Sequence, residues 1–395
     1  MPKIYSPLFK SILLTLAISA CKVVQKTPDT NVVADQPVTS DTTLVDSTML
    51  TILPPPVQDS VVIAVHRILK DTISIIGVGD IMMGTNFPDN SYLPPSNGIT
   101  LWSEVKDTLK DADVTFGNLE GVILNEGGEA KHCNNPKLCY IFRSPERLMS
   151  NLVDAGFDVM STANNHAGDF GNTGRKNTMK VLDSLNIEHA GQLNKPYATF
   201  MVDGMKYGFA AFAPNSGTVS INDYENAKKI VQHLDSISDI VIVSFHGGAE
   251  GSDHQHVTGR NEYYLGENRG NVKRFAHTVI DAGADVVFGH GPHVTRAMEV
   301  YNKRFIAYSL GNFCTYARFN LRGPNGIAPI VKVYTKPDGE FLFGEITSVI
   351  QRGAGGPKID EAKGAIKIIK ELIEKDFPDG VIKIDGNGRI NYLQN

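Results

Sequence analysis

Residues 72–80, with the sequence TISIIGVGD, decide the fold class, because a run of β-branched residues ends there on a glycine and an aspartate. Such a run predicts a buried strand that is followed by a turn. Similar apolar runs recur along the chain, at residues 113–116, 157–161, 207–212, 239–245 and 284–288. Amphipathic segments lie between them, at residues 102–111, 145–155, 173–185, 223–234 and 271–282. The alternation predicts a layered α/β domain.

Polar side chains of ligand type follow five of these predicted strands. They are Asp80, Asn118 with Glu120, Asn164 with Asn165 and His166, His246, and His290 with His293. Ligands of open α/β sheets bind beyond the carboxyl ends of the strands, so we expect these residues to converge on one crevice. Carboxylate, amide and imidazole groups without a thiol favour Mn, Fe, Zn or Mg, and we expect one or two such ions.

The ordered set of motifs resembles the CapA family, which is named for poly-γ-glutamate capsule synthesis. The resemblance covers about residues 72–315 and includes Gly79-Asp80, Asn118-Leu119-Glu120, Asn164-Asn165-His166, His246, residues 289–293 (GHGPH) and residues 308–313 (YSLGNF). That family is similar to calcineurin-like metallophosphoesterases. The resemblance therefore implies a two-sheet sandwich flanked by helices, with divalent metal bound at one site.

The same resemblance assigns roles to individual residues. It implies the metal ligands Asp80, Glu120, Asn165, His246, His290 and His293, and it makes His166 the general acid. Asn118 and Asn164 would support these ligands. Asp169 could orient the His166 imidazole through a hydrogen bond, or it could serve the turn before the helix predicted from residue 173.

One position departs from the metallophosphoesterase pattern. That pattern places His two residues after the first Asp, whereas this chain has Met82 there. A thioether does not replace imidazole as a ligand for a hard or borderline cation. Two functions therefore remain open. The first is a metal-dependent site that acts on a cell-envelope or capsular polymer, either in poly-γ-glutamate-type synthesis or by hydrolysis of a phosphoester or amide. The second is non-catalytic binding of an anionic polymer or anchoring of its synthesis complex.

The segment after His246, residues 247–270, is predicted to cover the site. Its polar and aromatic composition is consistent with substrate binding, although a solvated surface loop has the same composition. Glu250 and Arg260 are the candidate substrate-binding residues in this segment. A guanidinium such as that of Arg260 can grip a carboxylate or phosphate with two hydrogen bonds.

The N-terminal residues predict export rather than membrane spanning. Residues 11–20 form a short apolar run that ends in small residues directly before Cys21. Residues 1–20 are therefore expected to be a signal peptide, and Cys21 to be a lipidated residue that anchors the protein to the bacterial cell envelope. The alternative is that Cys21 is an ordinary residue of the signal. Residues 21–65 are read as a flexible tether, because residues 22–60 contain no aromatic residue.

The composition excludes several classes of function. The chain of 395 residues has 38 Lys and Arg against 43 Asp and Glu, and it lacks a dense basic run. We therefore expect no nucleic-acid partner. The sequence contains neither a complete dinucleotide-binding glycine motif nor a P-loop, so these nucleotide sites are also excluded.

The remaining features concern the cysteines and the C-terminus. Cys133 and Cys139 are predicted to form a local disulfide in an exported protein. Residues 71–350 are assigned to the CapA-like domain. Residues 351–395 are assigned to an appendage that contains a helix at 361–375 and a hairpin at 381–393.

Overall fold

The structure is a computed structural model that describes residues 70–133 and 139–393. The strands in chain order are β1 (Ile73–Met82), β2 (Val114–Leu119), β3 (Val122–Ile123), β4 (Arg143–Ser144), β5 (Val159–Ser161), β6 (Glu188–Ala190), β7 (Tyr197–Val202), β8 (Met205–Phe212), β9 (Ile240–His246), β10 (Glu262–Tyr264), β11 (Glu267–Gly270), β12 (Val286–His290), β13 (Met298–Tyr301), β14 (Arg304–Ala307), β15 (Asn312–Thr315), β16 (Ile327–Thr335), β17 (Phe341–Ile350), β18 (Lys358–Ile359), β19 (Ile382–Ile384) and β20 (Arg389–Tyr392). The helices are α1 (Lys106–Leu109), α2 (Ser150–Ala155), α3 (Gly171–Ser184), α4 (Tyr224–Ile237), α5 (Val272–Asp281) and α6 (Gly364–Asp376).

Two mixed sheets carry most of these strands. The larger sheet has the order β19-β20-β17-β16-β1-β2-β5-β6, with β15 paired to β1 and β18 paired to β17. The smaller sheet has the order β13-β14-β12-β9-β8-β7. In both sheets the inner strands that carry the polar motifs run parallel, as in β1-β2-β5 and β9-β12. The expected two-sheet α/β architecture is therefore confirmed.

The two sheets share one core. Phe116 of β2 stacks on Phe288 of β12 with the ring centroids 5.3 Å apart, so a ring from each sheet meets between them. Gly77 of β1 makes room for this contact, because a Cβ atom at Gly77 would lie 2.4 Å from an atom of the Phe288 ring. Burial of a side chain of this size contributes roughly 1.5–3 kcal/mol.

Helices cover the outer faces of the sheets. Helices α4 and α5 contact the smaller sheet through β8, β9 and β12. On the larger sheet, the side chains of Val105, Leu109 and Leu152 share a second apolar cluster with Ile76 and Val78 of β1. β1, β2 and β9 are therefore covered on both faces and buried nearly throughout, which explains why their sequences are continuous apolar runs.

Several predicted elements differ in extent from the observed ones. Of the helix predicted at 102–111, only the short helix α1 is present, and it follows a turn. The segment predicted as a helix at 145–155 begins with a 3₁₀ turn, and the α-helix α2 occupies its second half. The helix and hairpin expected after residue 350 are present as α6 and β19–β20. The hairpin pairs with β17, and α6 packs into the shared core.

Candidate functional site

The carboxyl ends of the parallel strands bring the predicted polar residues together. In the larger sheet Asp80 is in register with Asn118, and Asn118 is in register with Ser161, just before the 162–166 turn. In the smaller sheet His290 is in register with His246. Because the two sheets pack face to face, these ends form one polar site between them.

Asp80 lies at the centre of the site, with its side chain fully buried. Its Oδ2 atom accepts a hydrogen bond of 2.8 Å from Nδ1 of His293, and its Oδ1 atom lies 3.3 Å from Nδ1 of His290. Burial alone would raise the pKa of the Asp80 carboxyl, but the two imidazoles lower it below its usual range. Asp80 is therefore the ionised carboxylate of the site.

Asn118 links the two buried carboxyl groups. Its Nδ2 atom donates to Oδ1 of Asp80 and to Oε2 of Glu120, both at 2.8 Å. Its own Oδ1 atom accepts from Nδ2 of Asn164 at 3.2 Å. The two asparagines therefore fix the orientation of Asp80 and Glu120.

Glu120 is the second carboxyl group of the site and is almost completely buried. Burial, and then the charge of Asp80, raise the pKa of Glu120 to about 8. Its Oε1 atom is buried without a hydrogen-bond partner, and its Oε2 atom lies 3.7 Å from Nδ1 of His246. A carboxyl group in this situation is expected to ionise fully only when a cation joins it.

His246 and His290 end adjacent strands with both of their ring nitrogens buried. Neither His246 nor His290 forms a hydrogen bond through these nitrogens in the part of the chain that the structure describes. Burial lowers the pKa of His246 well below its usual value, so its imidazole is neutral and can act as a ligand. Buried polar atoms without partners are rare and call for an explanation such as a bound ion.

His293 lies in the turn after β12 with a left-handed backbone, at φ 57°. Burial alone would lower its pKa, but the hydrogen bond to Asp80 raises the pKa of His293 to about 10. A positive φ at a non-glycine residue is strained and persists only where the surrounding structure holds it. The strain directs this imidazole onto Asp80.

Three of these residues form a group with the spacing of a metal site. One potential ligand atom each from Asp80, Glu120 and His246 lies within 4.8 Å of the others, and all three residues are buried. The unpartnered atoms of Glu120 and His246 supply the lone pairs that a cation needs. The donor set of oxygen and nitrogen without sulfur fits Mn, Fe, Zn or Mg. The residues present therefore suit a divalent metal ion.

His166 adjoins this group and is held by Asp169. Its Nδ1 atom lies 2.8 Å from Oδ2 of Asp169, which also accepts from the backbone N of Phe142 at 2.6 Å. The other carboxylate oxygen of Asp169 lies 2.6 Å from Nζ of Lys131. Burial is the main cause that lowers the pKa of His166. The bond at Nδ1 leaves Nε2 as the nitrogen that can serve a substrate.

Asn165 contacts Glu250 at the side of the site. Its Nδ2 atom donates to Oε1 of Glu250 at 3.4 Å, and its Oδ1 atom is buried without a partner. Glu250 also accepts from Nη2 of Arg269 at 2.9 Å. Since a carboxylate can only accept, this contact turns the carboxamide oxygen of Asn165 away from Glu250 and keeps it available.

Two cavities open onto the site and meet at His166. The first has a volume of about 220 Å³ and includes His293, Phe142 and Arg318 in its lining. The second has a volume of about 610 Å³ and includes Lys131 and Arg269. His166, Glu250, Tyr140 and Tyr264 line both cavities. Part of the predicted 247–270 cover is the β10–β11 hairpin, which supplies Tyr264 and Arg269.

Neither Arg260 nor Arg296 offers a free charge to the two cavities. Arg260 is exposed, and the cavity linings drawn from the described residues do not include it. Arg296 is fully buried and forms two hydrogen bonds to Glu262, of 2.9 and 2.7 Å, so it stabilises the loop rather than offering a free charge. The sequence offered no signal for Lys131, Arg269 and Arg318, because their loops reach the site only through tertiary contacts.

The two cysteines of the 131–140 loop lie beside the second cavity. Cys133 and Cys139 are joined by a disulfide next to Lys131, and both line the second cavity. Cys21, the predicted signal peptide and the predicted tether lie outside the described residues. Among the helices of residues 70–133 and 139–393, none has the length and apolar character that crossing a membrane requires.

Comparisons with known proteins give a consistent match over most of the chain. The family model described as bacterial capsule synthesis protein PGA_cap matches residues 74–317. The chain is 26% identical over 334 residues to the capsule biosynthesis protein CapA of Bacillus anthracis, which covers 79% of this chain and 75% of that protein. It is 27% identical over 320 residues to the PGA biosynthesis protein CapA of Bacillus subtilis (strain 168), which covers 76% of this chain and 78% of that protein.

Solved structures show more distant likenesses. A putative 5'-nucleotidase from Staphylococcus aureus matches with a TM-score of 0.41 and 15% identity, covering 77% of this chain and 58% of that one. A purple acid phosphatase from yellow lupin matches with a TM-score of 0.37 and 9% identity, covering 74% of this chain and 54% of that one.

Proposed function

Because the chain belongs to the PGA_cap family of bacterial capsule synthesis proteins, we propose that it acts on a cell-envelope or capsular polymer through a divalent-metal site. The reaction proposed is hydrolysis of a phosphoester or amide bond in that polymer. The observation that carries the proposal is the buried group of Asp80, Glu120 and His246, whose unpartnered atoms suit a cation.

Asp80, Glu120 and His246 would hold the ion, with His290, His293 and Asn165 as further ligands or as groups that orient it. A bound divalent ion lowers the pKa of water and stabilises negative charge that develops on an attacked centre. His166 is the group proposed to carry the proton. Held by Asp169 at Nδ1, its neutral imidazole can take up a proton at Nε2 and give it to the leaving atom.

We also propose that the protein is exported and lipid-anchored through Cys21. The short apolar run before Cys21 in the sequence supports this. Membrane fractionation of cells that express the unaltered chain or Cys21→Ser tests it. The unaltered protein should be found with membranes and the variant should not. An unaltered protein that is recovered without membranes would contradict the anchor.

The central experiment measures metal content and polymer chain length for the purified protein and three variants. His246→Ala removes a proposed ligand and should lose both metal and turnover. His166→Ala should keep its metal but lose turnover. His233→Ala changes an exposed histidine on α4 and is the matched control, so it should behave as the unaltered protein. Metal-free protein that still shortens the polymer would contradict the proposal.

A second function is favoured by Met82. This buried residue stands where the resemblance predicts an imidazole ligand, so the chain has one metal ligand fewer than that pattern provides. The alternative is a surface protein that binds an anionic polymer, or anchors its synthesis complex, without catalysis. Polymer binding that is unaffected by a chelator, together with no turnover by the unaltered protein, would favour this alternative.

A further inference from the structure

Arg318 lies in a loop that is fixed against the central strand. The backbone N of Tyr316 donates to the carbonyl of Met82 at the end of β1, at 2.9 Å, and the backbone N of Ala317 donates to the carbonyl of Ala354 at 2.6 Å. Ala317 has a left-handed backbone at φ 67°. A strained backbone of this kind persists only where the surrounding structure holds it. The loop therefore presents Arg318 to the first cavity in a defined position.

The guanidinium of Arg318 is supported by aromatic rings. Its central carbon lies 4.6 Å from the ring centroid of Tyr92 and 5.5 Å from that of Tyr140. Such cation–π contacts hold a planar guanidinium in place without satisfying its N–H groups. The donors of Arg318 are therefore oriented but remain available for hydrogen bonds in the plane of the group.

The charge of Arg318 also lacks a partner of opposite sign. Lys131 and Arg269, the cations of the second cavity, are paired with Asp169 and Glu250. Among the described residues, no carboxylate forms an ion pair with Arg318. The hydrogen bonds with Ser91 are the main cause of the lowered pKa of Asp89, and the charge of Arg318 is a lesser cause in the same direction. Arg318 is therefore a positioned and unneutralised cation in a cavity wall.

The adjacent residue ties this cation to the site. Phe319 stacks on Phe142 with the ring centroids 5.1 Å apart, and its centroid lies 5.6 Å from that of the His293 imidazole. Phe142 in turn lies 4.2 Å from the ring of His166. A group bound at Arg318 would thus occupy the same cavity as His166 and His293.

We propose that Arg318 is the anion-binding residue of this site and that it holds a carboxylate or phosphate group of the substrate beside the bond that reacts. The inference rests on the proposed function, because it names the residue that recognises the polymer. A guanidinium binds either anion through two parallel hydrogen bonds, which gives orientation as well as affinity. A polymer with a regular row of anions would then be held in register with His166.

The test measures binding rather than turnover, with the purified protein and two kinds of fluorescent chain. One chain is a short oligoglutamate and the other is an oligoglutamine of the same length, while inorganic polyphosphate serves as a competitor. The variants are Arg318→Met, Arg318→Lys and, as a matched control, Arg322→Met. Arg322 is an exposed arginine four positions further along the chain, so its replacement removes the same charge outside the cavity lining.

Arg318→Met should bind oligoglutamate or polyphosphate roughly 10- to 100-fold more weakly, which is the effect expected for loss of hydrogen bonds to a charged group. The affinity of Arg318→Lys should lie between those of Arg318→Met and the unaltered protein, since lysine keeps the charge and loses the paired donors. Arg322→Met should bind as the unaltered protein does. If the binding of oligoglutamate depends on Arg318, the anion is a carboxylate, and if the binding of polyphosphate depends on it, the anion is a phosphate. Binding of oligoglutamine should be the same for all variants.

The proposal would be overturned if Arg318→Met and Arg322→Met weakened binding equally, or if the unaltered protein bound neither anionic chain. Melting temperatures of all variants show whether a loss reflects unfolding, and Arg318→Lys provides the readout if Arg318→Met does not fold. Metal content measured in the same samples keeps the two ideas apart. If the protein has metal and turnover but its anion binding is unchanged in the Arg318 variants, this inference is wrong and the proposed function still stands.

Discussion

The Nδ1 atom of His293 donates a hydrogen bond of 2.8 Å to Oδ2 of Asp80, although the two residues are 213 positions apart. Asp80 belongs to the larger sheet, and His293 follows a strand of the smaller one. This bond therefore joins the two halves of the sandwich at the site. Replacement of either residue should therefore disturb the geometry of the site more than the packing within either sheet.

Replacement of Asp80 by Asn should strongly reduce metal binding. The variant keeps the size of the side chain but removes the negative charge that a cation needs. We expect an affinity loss larger than the roughly 10- to 100-fold loss that follows removal of a supporting residue. Isothermal titration with Mn²⁺ measures it. The control Asp111→Asn changes a carboxylate whose side chain is 81% exposed, and it should bind as the unaltered protein does.

Replacement of Asn118 by Ala should weaken metal binding about 10- to 100-fold without removing any proposed ligand. The reason is that Asn118 donates to both Asp80 and Glu120, so its loss frees both carboxyl groups to reorient. The same titration measures the change. Affinity equal to that of the unaltered protein would show that the two carboxyl groups keep their orientation without Asn118.

Stability should depend on pH through Asp158. Burial raises the pKa of its carboxyl from 3.8 to about 6, while the backbone N of Thr115 donates to it at 2.7 Å. The folded state therefore holds a proton that the unfolded state has released between these values. Asp158 contributes its full share of stability below pH 3.8, and this share is lost as pH rises through about 6.

Asp158→Asn should remove this part of the pH dependence. The amide oxygen of Asn can still accept from Thr115, and it carries no charge. Above pH 6 the variant should be at least as stable as the unaltered protein, with a gain of at most about 3 kcal/mol. Urea unfolding between pH 4 and pH 8 measures the difference. Asp154→Asn, at an exposed position on α2, should leave the pH profile unchanged.

Substitution of Gly77 by Ala should destabilise the sandwich by about 1–3 kcal/mol, because the new Cβ atom would lie 2.4 Å from the Phe288 ring and force the two sheets apart. Gly386→Ala is the matched control, since a Cβ atom there has no neighbour within 4 Å. Urea unfolding of both variants compares them. Equal stability of the two variants would mean that the ring of Phe288 moves aside without cost.

Sequence alone predicted the strands that combine a buried apolar run with a ligand-type side chain at the end. β1 and β9 are continuous apolar runs because both of their faces are covered, and their polar ends are therefore conspicuous. The antiparallel strands β13, β16 and β17 were not predicted. In β17, for example, buried and partly exposed positions alternate irregularly, so its pattern is weak.

In the site, too, sequence alone predicted the residues with a clear local pattern and missed those placed by tertiary contacts. Asp80, Glu120 and His246 lie at strand ends, and chain order together with sheet topology brings such ends together. Arg260, which the sequence suggested as an anion-binding residue, is exposed and lines neither cavity, and nothing in the local sequence shows whether a loop arginine faces a cavity. The position of Arg318 is set by the backbone bonds of its loop to Met82 and Ala354, which sequence periodicity does not record.

The position of β1 has a consequence for how a ligand reaches the site. β1 pairs with β2, β15 and β16, so the backbone around Asp80 is bonded on both sides. Segments bonded in this way open only in the rarest and most extensive fluctuations of a protein. A ligand should therefore enter and leave the site at Asp80 through motion of the surrounding loops. The rate of ligand exchange should be independent of the rate of global unfolding.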